Sequence, residues 1–274
     1  MDRAGFTGYV EHMDKVVLHG ETPGSRWAAG SATGGCRDQN EDAFGVSDDG
    51  NWFVVADGCG GRSSGRRASD LAVRCILTSE HDSGDQPVVA DPLAARVLEA
   101  NDIVFGAARQ DPALVGMGCA LAALRLGPRH AAIVHVGDCR VGRLGTPFVQ
   151  HAGGDNLPEL RWLTLDHVLW VEALMAGRPL AEVEEFRSVH GSVIMRAVGV
   201  TDSLDVEVLY RAVQPGDLFL LCTDGLSAHV PHETITGILR SPACLAERCG
   251  ALTDAAETAG GYDNATVILV EAGA

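Results

Sequence analysis

The sequence predicts an α+β fold, with antiparallel sheets whose outer faces carry helices. Three observations support this. Apolar runs of strand length come in hairpin-like pairs, segments of helical period fall between the pairs, and the strict strand–helix alternation of a parallel sheet is absent.

Taken in order, residues 1–24 read as an N-terminal lead-in of weak periodicity, and residues 25–274 as one domain. Residues 44–46 and 52–56 flank Ser47-Asp48-Asp49-Gly50-Asn51, which has the chemistry of a hairpin turn. Residues 69–78 put Leu71, Cys75 and Ile76 on one helical face. Pro92–Gln110 is a stronger helix, with Leu93, Val97, Ala100 and Val104 three or four apart. Residues 121–126 and 131–136 form a second strand pair that residues 140–144 continue. Residues 145–160 carry Gly and Pro and read as an irregular insertion. Two helices, 168–176 and 180–186, are separated by Gly177-Arg178-Pro179. Strands at 206–213 and 218–222 surround the turn Gln214-Pro215-Gly216-Asp217. Helices at 231–240 and 243–258 precede a last strand, 265–270.

Composition narrows the function. A chain of 274 residues that is 46% hydrophobic and 21% charged can bury a sizeable core. Its net charge of −16 argues against nucleic acid and anionic membranes as partners. The local basic cluster Arg62, Arg66 and Arg67 is too small to reverse that, and reads as a solvated helix face or a lure for phosphopeptide. No apolar run approaches the roughly 18 residues of a membrane helix. The first residues lack the apolar stretch of a secretory signal. Eight cysteines form no CxxC pair, which points to a reduced, cytoplasmic protein.

The acids are the informative feature. Asp57 ends the run 53–56, Asp138 follows 133–137, and Asp224 follows 218–223, while Asp263 and Asn264 stand just before 265–270. Four times an acid stands at the mouth of an apolar strand, usually beside glycine. Carboxylates placed there are costly unless a positive charge compensates them. A divalent cation does so, and hard oxygen donors without His or Cys point to Mg²⁺ or Mn²⁺ rather than zinc. Asp48, Asp49 and Asp217 lie in mid-turn among polar residues and read as turn residues only.

With these residues goes a series of ordered segments. They are Arg37-Asp38-Gln39-Asn40-Glu41-Asp42, Val55-Ala56-Asp57-Gly58-Cys59-Gly60-Gly61, Gly116-Met117-Gly118 and His135-Val136-Gly137-Asp138-Cys139-Arg140. Leu163-Thr164-Leu165-Asp166-His167, Arg196-Ala197-Val198-Gly199, the stretch 216–226 and Asp263-Asn264-Ala265-Thr266 complete them. In this order they resemble the PP2C (PPM) family of metal-dependent protein serine/threonine phosphatases, bacterial type, over nearly the whole chain.

The resemblance implies a four-layer αββα sandwich, two central antiparallel sheets flanked by helix pairs. It implies two divalent cations, Mn²⁺ or Mg²⁺, with Asp57 bridging both, the Gly58 carbonyl on one, and Asp224 and Asp263 on the other. Glu41 and Asp42 would hold metal-bound waters. Asp138 would share Asp224 in holding a third, weaker metal. Arg37 would grip the substrate phosphate with its planar fork. Asn264 is read either as a partner of phosphate or metal water, or as a cap on the turn into the last strand. The implied reaction is hydrolysis of phosphoserine and phosphothreonine esters by a water that bridges the metals. Implied partners are phosphorylated proteins, substrates of a serine/threonine kinase, and the chain is expected to act as a monomer.

The sequence also departs from the family pattern. Cys59 stands where some members have His, and is read as a small filler or a regulatory thiol. Cys119-Ala120 replace two threonines, and Cys139 replaces serine. Residues 177–192 match the family's flap in place and rough length, without its usual His-Pro and Arg-Asn features. His135 lies on a strand beside Asp138 and, with no second His expected nearby, reads as structural, and Asp166 reads as a helix cap. The competing reading is a catalytically weak PP2C-like regulatory or binding module, against which all the metal aspartates are retained. A nucleotide hydrolase is disfavoured by the absence of a glycine-rich phosphate loop with Lys.

Overall fold

The computed structural model describes residues 8–9, 15–22, 24–60, 64–78, 91–145, 158–191 and 193–273. Twelve strands are described: β1 (Gly8–Tyr9), β2 (Lys15–Thr22), β3 (Ser25–Ala32), β4 (Asp42–Val46), β5 (Trp52–Cys59), β6 (Gly118–Leu126), β7 (His130–Val136), β8 (Arg140–Gly145), β9 (Glu159–Trp162), β10 (Glu207–Ala212), β11 (Leu218–Cys222) and β12 (Ala265–Ala272). The helices are α1 (Ser64–Thr78), α2 (Pro92–Gln110), α3 (Leu169–Met175), α4 (Leu180–His190), α5 (Asp224–Ser227), α6 (His232–Arg240) and α7 (Leu245–Thr258).

The strands form two antiparallel sheets, in the orders β1-β4-β5-β6-β7-β10 and β2-β3-β12-β11-β8-β9. Alternation along the strands sorts the side chains into layers. Phe53, Val55, Leu124 and Ile133 meet Trp27, Phe219, Leu221 and Ile268 between the sheets. Val54, Ala56 and Leu121 turn outward and pack on Ala68, Ala72 and Ile76 of α1 and on Val97 and Val104 of α2. On the other side Leu220, Val267 and Leu269 pack on Leu226, Ile235, Leu239 and Leu252. This is the expected αββα sandwich.

Several elements differ from the sequence reading. Part of the segment set apart as a lead-in forms β2, paired with β3 over eight residues. It is an edge strand carrying Lys15, His19 and Glu21, and such polarity hides a strand. Within the expected irregular insertion, β9 pairs with β8, while residues 146–157 lie outside the described residues. Helix α1 starts at Ser64, because Ser64 and Gly65 are buried without being apolar. Arg62 lies outside the described residues. All eight cysteines are free thiols, and no described helix is long and apolar enough to cross a membrane.

Candidate active site

The acids converge at one pole of the sandwich. Asp42 opens β4 and is the cross-strand partner of Asp57 in β5. The Gly58 N–H bonds the Glu41 carbonyl at 3.2 Å. Asp138 leaves the end of β7, Asp224 starts α5 directly after β11, and Asp263 precedes β12. Burial pushes the Asp57 carboxyl well above its usual range, and the charges of Asp42, Asp224, Asp138 and Asp263 push it further. Burial raises Asp42 to about 7 against hydrogen bonds from Thr266 and Thr223, with Asp224 and Asp263 adding to the rise. Asp138 is also raised to about 7, by burial and then by Asp224 and Asp166. Burial and then Asp263 raise Asp224, whose carboxyl shares a hydrogen bond with Asp57.

These residues fit divalent cations. Asp42 Oδ1, Asp138 Oδ1 and Asp224 Oδ1 are buried oxygens without a hydrogen-bond partner. Such orphan acceptors in a cluster of like charge require either protons or a metal. Asp57, Asp224, Asp263, Asp138 and the Gly58 carbonyl would form an all-oxygen donor set, the kind suited to Mn²⁺ or Mg²⁺. At Gly58 a side chain is impossible: a Cβ there would stand 2.1 Å from the Gly65 carbonyl oxygen. That close approach lets the start of α1 dock on the acid-bearing strand.

Behind the acids lies a hydroxyl network that the sequence reading missed. Thr223 donates to Asp42 Oδ2 at 2.9 Å and accepts from the Thr266 N–H at 3.0 Å. Thr266 and Ser31 pair through their hydroxyls at 2.7 Å, and Asn40 Nδ2 donates to Ser31 at 2.8 Å. Asn40 Oδ1 in turn accepts from the Asp42 N–H at 3.1 Å. Only tertiary structure brings these four segments together, so no local pattern could have signalled the network.

Asn264 turns out to be spoken for. Its Oδ1 accepts from the Glu41 N–H at 2.8 Å, and its Nδ2 donates to the carbonyls of Thr33 and Gln39 at 2.6 and 3.1 Å. Both amide hydrogens are used internally, so Asn264 places Glu41 rather than reaching for phosphate. Glu41 is half-buried and takes a hydrogen bond from Gln39 at 3.0 Å. Arg37 is exposed at the mouth, ion-paired with Asp263 at 2.6 Å, with its Nε directed to the Tyr262 carbonyl at 3.3 Å.

Two sequence readings are corrected around Asp138. His135 does have a second histidine beside it, since its ring lies 4.4 Å from that of His167. Glu207 joins them, 3.3 Å from His135 Nδ1 and 3.8 Å from His167 Nε2. The group is near enough to suggest a metal, but the Gly137 N–H donates to His167 Nδ1 at 3.1 Å. That leaves the proton of the neutral ring on Nε2, facing Glu207 across 3.8 Å, while the hydrogen bond to Glu207 is made by His135 Nδ1 at 3.3 Å. Asp166 does not cap α3. It grips Arg140 with both oxygens, at 2.7 and 2.5 Å. Asp49 and Asp217 hold their turns as expected: Asp49 accepts from Ser47 and Asn51, and Asp217 from the Gln214 N–H.

The family model for Protein phosphatase 2C matches residues 35–153. The serine/threonine phosphatase Stp of Listeria monocytogenes is 32% identical over 245 residues, 87% of this chain and 92% of that protein. The chain belongs to the protein phosphatase 2C family. Its activity is that of a metal-dependent serine/threonine protein phosphatase of this family. The Mycobacterium tuberculosis phosphatase PstP is 31% identical over 246 residues, covering 90% of this chain but 45% of PstP. A crystal structure of the PstP catalytic domain, in complex with two manganese ions, matches with a TM-score of 0.74 and 30% identity. That match covers 92% of this chain and 99% of the other.

Proposed function

We propose that Asp57, the Gly58 carbonyl, Asp224 and Asp263 hold two divalent cations for hydrolysis of phosphoserine and phosphothreonine in proteins. Asp138, together with Asp224, would hold a third. The observation that carries this is the set of orphan carboxylate oxygens on acids whose charges meet at one pole. Cations bound there supply positive charge to the phosphoryl oxygens and acidify water.

The chain's own residues do the rest. Arg37, anchored by Asp263 and the Tyr262 carbonyl, presents its fork at the mouth to bind and orient phosphate. Asp42, fixed by Thr223 and Asn40, and Glu41, fixed by Asn264, orient water from beneath. Cys59 is half-buried beside Gly58, and its thiol is pushed up by burial and by the charges of Asp138 and Glu41, which suits a neutral filler rather than a nucleophile. In this reading residues 177–192 form the flap, residues 25–274 together with the paired strands β1 and β2 form the phosphatase domain, and the chain works as a cytoplasmic monomer on substrates of a serine/threonine kinase. The net charge of −16 supports the exclusion of nucleic acid and membrane as partners.

The deciding experiment is release of phosphate from a phosphothreonine peptide with Mn²⁺, with Mg²⁺ and with EDTA, alongside Asp57→Asn and Asp224→Asn. Metal-dependent release that both substitutions abolish supports the assignment. A folded, metal-binding chain that releases nothing supports a regulatory module instead.

A further inference from the structure

We infer that Tyr262 and His229 form a docking rim for the polypeptide on which the phosphorylated residue is carried. The inference rests on Arg37 being the phosphate-binding group. Tyr262 is 59% exposed, yet its ring is held in place. The His229 ring lies 5.6 Å away at 45°. The ring also covers Gly260, whose φ is +132° and where a Cβ would stand 2.2 Å from the ring.

The turn that carries Tyr262 is pinned to the phosphate-binding segment. The Cys36 N–H donates to the Gly261 carbonyl at 2.9 Å, and Arg37 Nε to the Tyr262 carbonyl at 3.3 Å. His229 belongs to the other side of the same site, on the loop that follows α5, the short helix that Asp224 begins. Arg37, Tyr262 and His229 thus form one exposed edge beside Asp263 and Asp224.

Tyr210, also exposed, has its hydroxyl bonded to Asp91 at 2.5 Å. The Tyr262 hydroxyl has no partner among the described residues. A fixed aromatic ring with a spare hydroxyl offers contact area and a hydrogen bond at small entropic cost to whatever covers it. What must lie beside a phosphate held by Arg37 is the backbone and neighbouring side chain of the substrate. The rim suits an extended phosphopeptide whose residue next to the phosphorylated one is apolar or planar.

The test compares kcat/KM for a phosphothreonine peptide with kcat/KM for p-nitrophenyl phosphate, which has no polypeptide, in the full chain with Mn²⁺. Tyr262→Ala is expected to lower the peptide-to-small-substrate ratio about five-fold, carried by the peptide KM. Tyr262→Phe should restore most of it, and His229→Ala should lower the ratio in the same direction. A ratio that stays constant in both alanine variants, whether the two activities fall together or not at all, overturns the rim. A wild-type chain that hydrolyses neither substrate would remove the assignment of Arg37, and the rim with it.

Discussion

The Thr223 hydroxyl and the Asp42 carboxylate meet at 2.9 Å in the interior, joining the end of β11 to the start of β4 across the two sheets. Neither residue is reachable from the other by local chain geometry, and Thr223 is fully buried. The bond fixes one oxygen of Asp42 and leaves Oδ1 unpartnered.

Thr223→Val keeps the shape and removes the donor to Asp42 and the acceptor for the Thr266 N–H. Leaving these groups unpaired should cost about 1–3 kcal/mol of stability. Mn²⁺ binding, read by calorimetric titration, should weaken as well, because Asp42 loses its anchor. Thr223→Ser keeps the hydroxyl and should retain Mn²⁺ binding. Urea unfolding indistinguishable from wild type in the valine variant would contradict this account.

Removing metal should make stability depend on pH in a defined direction. Asp42 and Asp138 are raised to about 7, above their ordinary 3.8. In the metal-free fold they therefore bind protons that the unfolded chain has released. That stabilisation is complete below about 4 and is lost as pH rises through about 7. Metal competes with the same protons, so Mn²⁺ should raise the melting temperature more at pH 8 than at pH 6. A thermal shift that is equal at the two values, or larger at pH 6, would refute the raised carboxyls.

His167 works in the opposite sense. Burial, then the neighbouring His135 and Arg196, lower its pKa from 6.5 to about 4. Between those values the unfolded chain takes up a proton that the folded ring refuses, so His167 makes stability fall as pH drops. His167→Gln, compared with wild type at pH 5 and pH 7, should lose less stability on acidification, although its stability at pH 7 is lower. A parallel decline in the two proteins would show that the His167 ring is protonated in the fold.

The strand-end acids were legible because each stands at one end of an apolar run long enough to read as a buried strand. Leu218–Cys222 is buried at all five positions, and the chain leaves it into Thr223 and Asp224. By contrast, β2 was illegible, because an edge strand that faces water can carry Lys15, His19 and Glu21. Lys15 reaches Asp254 and Glu257 of α7 at 2.6 and 2.8 Å, contacts that no window of sequence contains. The pairing of His135 with His167 and the grip of Asp166 on Arg140 were misread for the same reason. Both depend on β10 or the segment before α3 folding back onto β7 and β8, a long-range choice made by packing rather than by local propensity.

In chain order β12 follows every other described element, yet in space it lies inside its sheet, hydrogen-bonded to β3 on one side and β11 on the other. During synthesis, β3 and β11 must wait for it with open edges. Asp263 arrives with β12, so among the described elements the cluster of strand-end acids is completed last. A nascent chain halted before residue 263 can hold the first sheet and still lack one of the acids proposed to bind the cations.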